Sequence, residues 1–235
     1  IAIGQDASNV LAYMKLMFDE AGRNGIELRK EDFYRFGKHI QLFEGVREWF
    51  GRVNDYGKEH GAVIEHYINS SGLKEIIEGS PIAGEFKHIF AGSFIYDEKG
   101  EAVWPGIAVD YTGKTQYLFK INKGIFSARD NKLVNASISD DKKRIPFSNM
   151  IYFGDGDTDV PCMKIVGMFG GQSIAVYNPS DERKKAAALK LKHQGRVGFS
   201  IPAVYTEDSK AFRLVKAIID KIVADHELER LKKIA

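Results

Sequence analysis

The sequence contains one cysteine, Cys162, so no internal disulfide framework can form, and the expected setting is a reducing cytoplasm. No apolar run approaches the length of a membrane span, and nothing at the start reads as a signal peptide. Charge bias is missing as well. Against 34 Lys and Arg stand 32 Asp and Glu, and a net charge of +2 gives no electrostatic case for nucleic acid or an anionic membrane as the main partner. No Gly-x-Gly-x-x-Gly follows a strand, which weakens a nucleotide-binding oxidoreductase, and no Gly-x-Ser-x-Gly elbow supports a serine hydrolase. Internal repeats and low-complexity segments are absent. Asn69-Ser70-Ser71 and Asn135-Ala136-Ser137 match the glycosylation pattern, but the expected compartment argues against its use. What is present is ordinary: 44% hydrophobic and 28% charged over 235 residues, enough for one sizeable domain plus a smaller one.

Apolar periodicity predicts a helix over Asn9–Ala21, with Val10, Met14, Met17 and Ala21 on one face. Phe33, Phe36, Ile40 and Phe43 predict the packing face of a second helix, and Gly45–Tyr56 a third through Val46, Phe50 and Val53. Strands are expected at Val63–Ile68, His88–Ala91 and Ile107–Val109, and a hairpin is expected with arms Phe94–Tyr96 and Ala102–Trp104 around Asp97–Gly100. Leu73–Glu78 reads as a short helix, and Gly113-Lys114 opens another that runs to about Asn122. Gly124–Pro146 reads as a polar, irregular excursion. Further strands are expected at Ser173–Tyr177 and Val197–Phe199. Asp181–Gln194 predicts a lysine-rich surface helix, and Ser209–Lys233 a long closing helix with Phe212, Val215, Ile219 and Ile222 inward. This alternation points to an α/β fold with a Rossmann-like, mostly parallel sheet flanked by helices.

The most informative stretch is Asn149–Val166. The apolar run Met150–Phe153 stops at Gly154, as a strand buried on both faces does, and Pro161 suits the first turn of the helix that follows. Between them lie Asp155, Asp157 and Asp159. Carboxylates this close repel unless a donor or cation neutralises them, and hard oxygens suit Mg2+. A calcium loop of the EF-hand type would place glycine and glutamate where Val160 and Val166 stand, which rules it out. An acidic surface turn with no function is the plain alternative.

Gly154, Asp155, Gly156 and Asp159 resemble the last motif of the haloacid dehalogenase-like (HAD) phosphohydrolases. Two earlier sites of that family have counterparts in the right order. Ser70, with Ser71-Gly72 behind it, resembles the Ser-x-Gly turn of the phosphoserine phosphatase branch, and Thr112-Gly113-Lys114 precedes a helix as that branch's lysine does. The similarity covers roughly Phe43 to Tyr177. It implies a remnant of a helical cap over 1–42, an α/β core over 43–235, and a Mg2+-dependent phosphatase acting on a small phosphorylated metabolite. Carried over residue by residue, it makes Ser70, Ser71, Gly72 and Lys114 the phosphate-binding set. Asp155 becomes a metal ligand, and Asp159 either a further ligand or the residue that holds Lys114. Lys120 and Lys123 are alternatives to Lys114, and Asp157 remains a surface acid. The plain readings are a helix N-cap for Ser70 and a solvated side chain for Lys114.

The family's nucleophile, the first aspartate of an Asp-x-Asp on a strand, has no counterpart before Ser70. Asp6 follows no strand, Asp19 and Glu20 lie on the first helix, and Glu31-Asp32 open the second. Asp155-x-Asp157 does not serve, because Asp159 stands where threonine or valine is wanted. The expectation is that the parent protein carries several tens of residues before Ile1, including the nucleophile strand and the rest of the cap. The alternative is a catalytically inactive HAD-like protein that binds a phosphorylated ligand or partner.

Overall fold

Ser8 starts the first helix, α1 (Asn9–Arg23), by accepting the Leu11 amide on its hydroxyl at 3.3 Å, so one of the orphan amides of the first turn is satisfied. The structure is a computed structural model that describes residue 4 and residues 6–127, 131–139 and 142–234. Within it the chain forms two compact units: residues 1–41 with 66–117, and residues 42–65 with 118–235.

In the first unit α1 buries Val10, Met14 and Ala21, as the periodicity predicts. A second helix, α2 (Lys30–Gly37), is followed within this unit by strand β1 (Tyr67–Leu73), the short helix α4 (Lys74–Glu78), and strands β2 (His88–Tyr96) and β3 (Ala102–Ile107). β1 pairs with β2 in parallel, and β2 turns back antiparallel to β3. The turn is closed by Asp97, whose side chain accepts the Lys99 and Glu101 amides at 2.9 Å each, and Gly100 adopts the left-handed φ of +79° that the tight return needs. The core joins Val10, Met14, Phe33, Leu73, Phe94 and Ala102, with Phe33 stacked on Phe94 at 5.8 Å.

Helices α2 and α4 approach through reciprocal glycines. A Cβ on Gly37 would lie 2.1 Å from the Ile76 carbonyl oxygen, and one on Gly79 would lie 2.2 Å from that of Tyr34. Two expectations are corrected. The aromatic face continues past Gly37 in sequence but the helix ends there; within the helix Phe33 is buried while Phe36 is 65% exposed, and beyond it Phe43 is also exposed. The predicted strand Val63–Ile68 lies too early: Val63 is 91% exposed, Ile64 packs on Gly57, and the ladder begins at Tyr67, where a partner strand exists. The separate strands expected at His88–Ala91 and Phe94–Tyr96 are one continuous β2, and β3 takes in Ile107.

The second unit holds α3 (Val46–Glu59), and its later part is two successive strand–helix–strand crossovers. Strand β4 (Ile151–Gly154), helix α7 (Val160–Met168), strand β5 (Gln172–Tyr177), helix α8 (Glu182–His193) and strand β6 (Phe199–Pro202) give a parallel sheet of order β4-β5-β6, closed by the long helix α9 (Lys210–Lys232). Helix α5 (Thr115–Lys123) carries the chain across the boundary between the units at 117/118, and α6 (Asn131–Asn135) lies in the stretch expected to be irregular, of which residues 128–130 and 140–141 are outside the described residues. Trp49 on α3 meets Phe212 of α9 edge-on at 6.1 Å, and Phe153 of β4 at the same distance, so one aromatic side chain seals helix pair and strand together. The fold is therefore mixed α/β: among the described residues there are two three-stranded sheets, one with a parallel and an antiparallel pair and the other parallel throughout. No helix among the described residues is long and apolar enough to cross a membrane.

Replacing Gly79 by Ala drives a methyl group into backbone, which cannot rotate away as a side chain would; the expected loss is about 1–3 kcal/mol in urea denaturation. Gly51, inside α3 with nothing within 4 Å of its Cβ position, gives the opposite sign: Gly51→Ala is expected to gain about 0.5–1 kcal/mol.

Candidate functional site

The first-unit residues singled out from the sequence sit on an irregularity in β1. Pairing with β2 runs from Tyr67–His88 to Asn69–Phe90 and resumes at Leu73–Gly92. Ser70, Ser71 and Gly72 thus face a single residue, Ala91, and drop out of the ladder as a bulge. They lie within the strand, not beyond its end as expected. The Ser70 hydroxyl accepts the Gly72 amide at 3.0 Å, which curls the bulge on itself; Ser70 caps no helix. The Ser71 carbonyl accepts the Tyr13 hydroxyl at 3.1 Å, while the Ser71 hydroxyl is buried with no hydrogen-bond partner.

Lys114 ends a 3-10 turn, Tyr111–Lys114, that feeds α5. Its amide donates to the Asp110 carbonyl at 3.0 Å, and the Asn69 side-chain amide donates to the Lys114 carbonyl at 3.0 Å. The second contact joins the bulge directly to the lysine turn, so Ser70 and Lys114 are neighbours in space although 44 positions separate them (114 − 70). Lys114 is 4% exposed and is not a solvated lysine. The alternatives are spoken for. Lys120 donates to the Ser127 carbonyl at 3.1 Å and Lys123 to the Ala136 carbonyl at 2.7 Å, so both tie down the chain that follows α5.

In the second unit, β4 ends at a glycine for a steric reason. A Cβ on Gly154 would lie 2.5 Å from both the Asp159 Cβ and the Met163 Cε, so only a bare residue lets the loop fold back. Asp159 then occupies the inside of the loop, 6% exposed. One carboxylate oxygen accepts the Tyr152 hydroxyl at 2.8 Å and the other accepts the Asp155 amide at 3.2 Å. Burial above all, then the charge of Asp159, raises the Tyr152 phenol well above its ordinary pKa. Asp155 and Asp157 are exposed.

Behind the loop, Tyr205 is wedged edge-on against Trp49 at 5.2 Å, its amide donating to the Glu44 carbonyl at 2.8 Å and its carbonyl accepting from Arg52. Burial, and secondarily the Asp155 carboxylate, pushes the Tyr205 phenol up to about 12. Gly45, at φ +77°, closes this corner, since a Cβ there would meet the Tyr205 backbone at 2.5 Å.

The structure therefore joins Ser70, Ser71, Gly72 and Lys114 in one unit, and Asp155 and Asp159 in the other. Among the described residues no group of three or more His, Cys, Asp or Glu side chains is arranged to hold a metal. Exposed Asp155 offers a hard carboxylate of the kind Mg2+ takes alongside retained water, whereas both Asp159 oxygens already accept protein donors. Sequence reasoning passed over Asn69, Asp110, Tyr13, Tyr152 and Tyr205. Tyr152 lies in an apolar run and reads as core; only its position two residues before Gly154 could have marked it as a partner for the acids.

Tyr152→Phe strips a donor from a buried carboxylate oxygen, and the expected cost is about 1–3 kcal/mol in urea denaturation at neutral pH. The tyrosines also set an alkaline limit. Tyr205 is raised in the folded state from 10.0 to about 12, so its contribution is whole below pH 10 and is lost as pH rises through 12. Tyr205→Phe is expected to flatten the fall in urea midpoint over that interval, and an unchanged slope would show that Tyr205 titrates normally.

No family model matches the chain. It is similar to an uncharacterized protein of Borreliella burgdorferi, 28% identical over 228 residues that cover 88% of this chain and 75% of that protein, so function has to be argued from the residues themselves.

Proposed function

We propose that the chain belongs to a HAD-type, Mg2+-dependent phosphatase of small phosphomonoesters. The observation that carries this is the Asn69–Lys114 hydrogen bond, which sets the serine bulge beside the turn that carries the buried Lys114. A phosphoryl group in transfer gathers negative charge on its equatorial oxygens, and donors already aimed at those oxygens stabilise it without reorganisation. Ser70 supplies a hydroxyl and Ser71 a backbone N–H, the absence of a side chain at Gly72 leaves room for the phosphoryl oxygens, and Lys114 supplies the ammonium. In the other unit, exposed Asp155 is the carboxylate that would hold Mg2+, an ion that supplies charge neutralisation to phosphoryl transfer. Asp159 fixes the loop that carries Asp155 and, in this reading, serves as a ligand only by giving up one of its present donors.

The crossovers β4-α7-β5-α8-β6 and the open edges support the same reading. Among the described residues β1 pairs only with β2, and β4 only with β5, so each sheet ends on a strand that can accept another. The attacking aspartate of a HAD reaction, which forms an aspartyl-phosphate, has no counterpart before Ser70. That gap favours a second reading, a HAD-like protein that holds a phosphorylated ligand without turnover.

Hydrolysis of p-nitrophenyl phosphate by the full-length gene product separates the two. The expected result is phosphate release that stops when EDTA removes Mg2+ and falls at least about 100-fold in Asp155→Ala and in Lys114→Ala. Full-length protein that binds inorganic phosphate but is inert with Mg2+ across a broad phosphomonoester panel would establish the second reading in place of the first.

A further inference from the structure

Helix α1 touches both segments to which phosphate handling is assigned, and it does so with two side chains. The Ser8 hydroxyl accepts the Leu11 amide as the helix cap and donates to the Asp110 carboxylate at 2.7 Å. Asp110 is also the residue whose carbonyl receives the Lys114 amide, so the anchor of α1 and the start of the lysine turn are one residue. A carboxylate beside a helix N-terminus is favoured by the partial positive charge there, which strengthens the joint. Further along the helix, the Tyr13 hydroxyl donates to the Ser71 carbonyl at 3.1 Å. With the Asn69–Lys114 bond these contacts close a ring: α1 to Ser71, along the chain to Asn69, across to Lys114, back to Asp110, and on to α1. Met14, next to Tyr13 in the helix, is fully buried, its sulfur 3.7 Å from where a Cβ on Gly92 would stand, so the helix is packed against β2 beside its Tyr13 contact.

We propose that Ser8 and Tyr13 are positioning residues that together set the spacing between the Ser70–Gly72 bulge and the Lys114 turn. The inference rests on the phosphatase reading above. Neither side chain touches the phosphoryl group: Tyr13 acts through the Ser71 backbone, and Ser8 acts through Asp110, whose carbonyl holds the Lys114 turn. A donor displaced by a fraction of an ångström still binds the ground state but no longer meets the charge that develops in the transition state, so the effect belongs in kcat.

The test is steady-state hydrolysis of p-nitrophenyl phosphate by the full-length gene product with Mg2+. Ser8→Ala, Asp110→Ala and Tyr13→Phe are each expected to lower kcat about 10-fold with KM changed less than about 2-fold. Ser8→Thr, which keeps both the cap and the donor, restores kcat. Because breaking either contact opens the same ring, Ser8→Ala with Tyr13→Phe falls well short of the product of the single effects. Asp110→Ala leaves the Ser8 cap on Leu11 in place, so its effect cannot come from loss of the helix start. Ala21→Gly destabilises α1 away from the ring and is expected to lower the thermal midpoint while leaving kcat alone.

Wild-type protein without activity ends the phosphatase reading and this inference with it. Active wild type with unchanged kcat in the three variants overturns the inference alone. So does a double variant whose effects multiply, since two independent contacts are not a shared bracket, and so does a rise in KM at constant kcat, which would make α1 a substrate contact.

Discussion

One side-chain amide, that of Asn69, turns two scattered pieces of sequence into a neighbourhood. Its bond to the Lys114 carbonyl spans 45 positions, and β1 bulges immediately after Asn69. Without the bulge the strand would pair straight through to Leu73, and Ser70, Ser71 and Gly72 would alternate across the sheet instead of gathering on one loop. The three-for-one mismatch against Ala91 is therefore the condition for everything assigned to that face, and the carbonyl that receives Tyr13 exists as an acceptor for the same reason.

How much of this was legible from the amino acids depends on whether the determining contact is local. The faces of α1 and the hairpin at Asp97–Gly100 follow from neighbours three or four residues apart and from turn chemistry, and both form as read. Strand limits follow from pairing, which no window of sequence contains. Val63 and Ile64 have strand propensity but no partner strand, while the polar Ser70-Ser71-Gly72 lies inside β1 because Leu73 re-enters the ladder opposite Gly92. Gly92 reads as a break between two strands, yet it stands at the middle of β2. A Cβ there would lie 3.2 Å from the Ile107 carbonyl oxygen and 3.3 Å from that of Gly72, so the residue marks a close approach of neighbouring strands. The same blindness affects Gly37, whose neighbour across the helix contact, Ile76, is 39 positions away (76 − 37).

The candidate site divides the same way. The resemblance to the HAD pattern, in residue type and order, picked out Ser70, Lys114, Asp155 and Asp159. Burial was out of reach: Lys114, which sequence alone would leave in solvent, is enclosed, whereas Phe36, which hydropathy would bury, is exposed. The supporting residues were out of reach for a different reason. Asn69, Asp110 and Tyr13 act through bonds between side chain and backbone across the fold, and nothing in their local sequence distinguishes them from ordinary surface polar residues.

The acidic loop carries the separation of roles furthest. Three carboxylates at alternate positions repel one another, and the fold relieves the repulsion by giving them unlike surroundings. Asp159 is taken inside and neutralised by a phenol and an amide, an arrangement possible only with glycine at 154 and a tyrosine two residues before it. Its buried carboxylate is met by donors that stay protonated at neutral pH, since burial first, and then the Asp159 carboxylate, raises the Tyr152 phenol. Asp155 shares the loop, but its side chain is left exposed while its backbone amide is held by Asp159. One acid is thus spent on structure while another is left exposed at a fixed place. In the proposed function that division matters more than the count of acids, because a ligand must be both available and immobile to orient an ion.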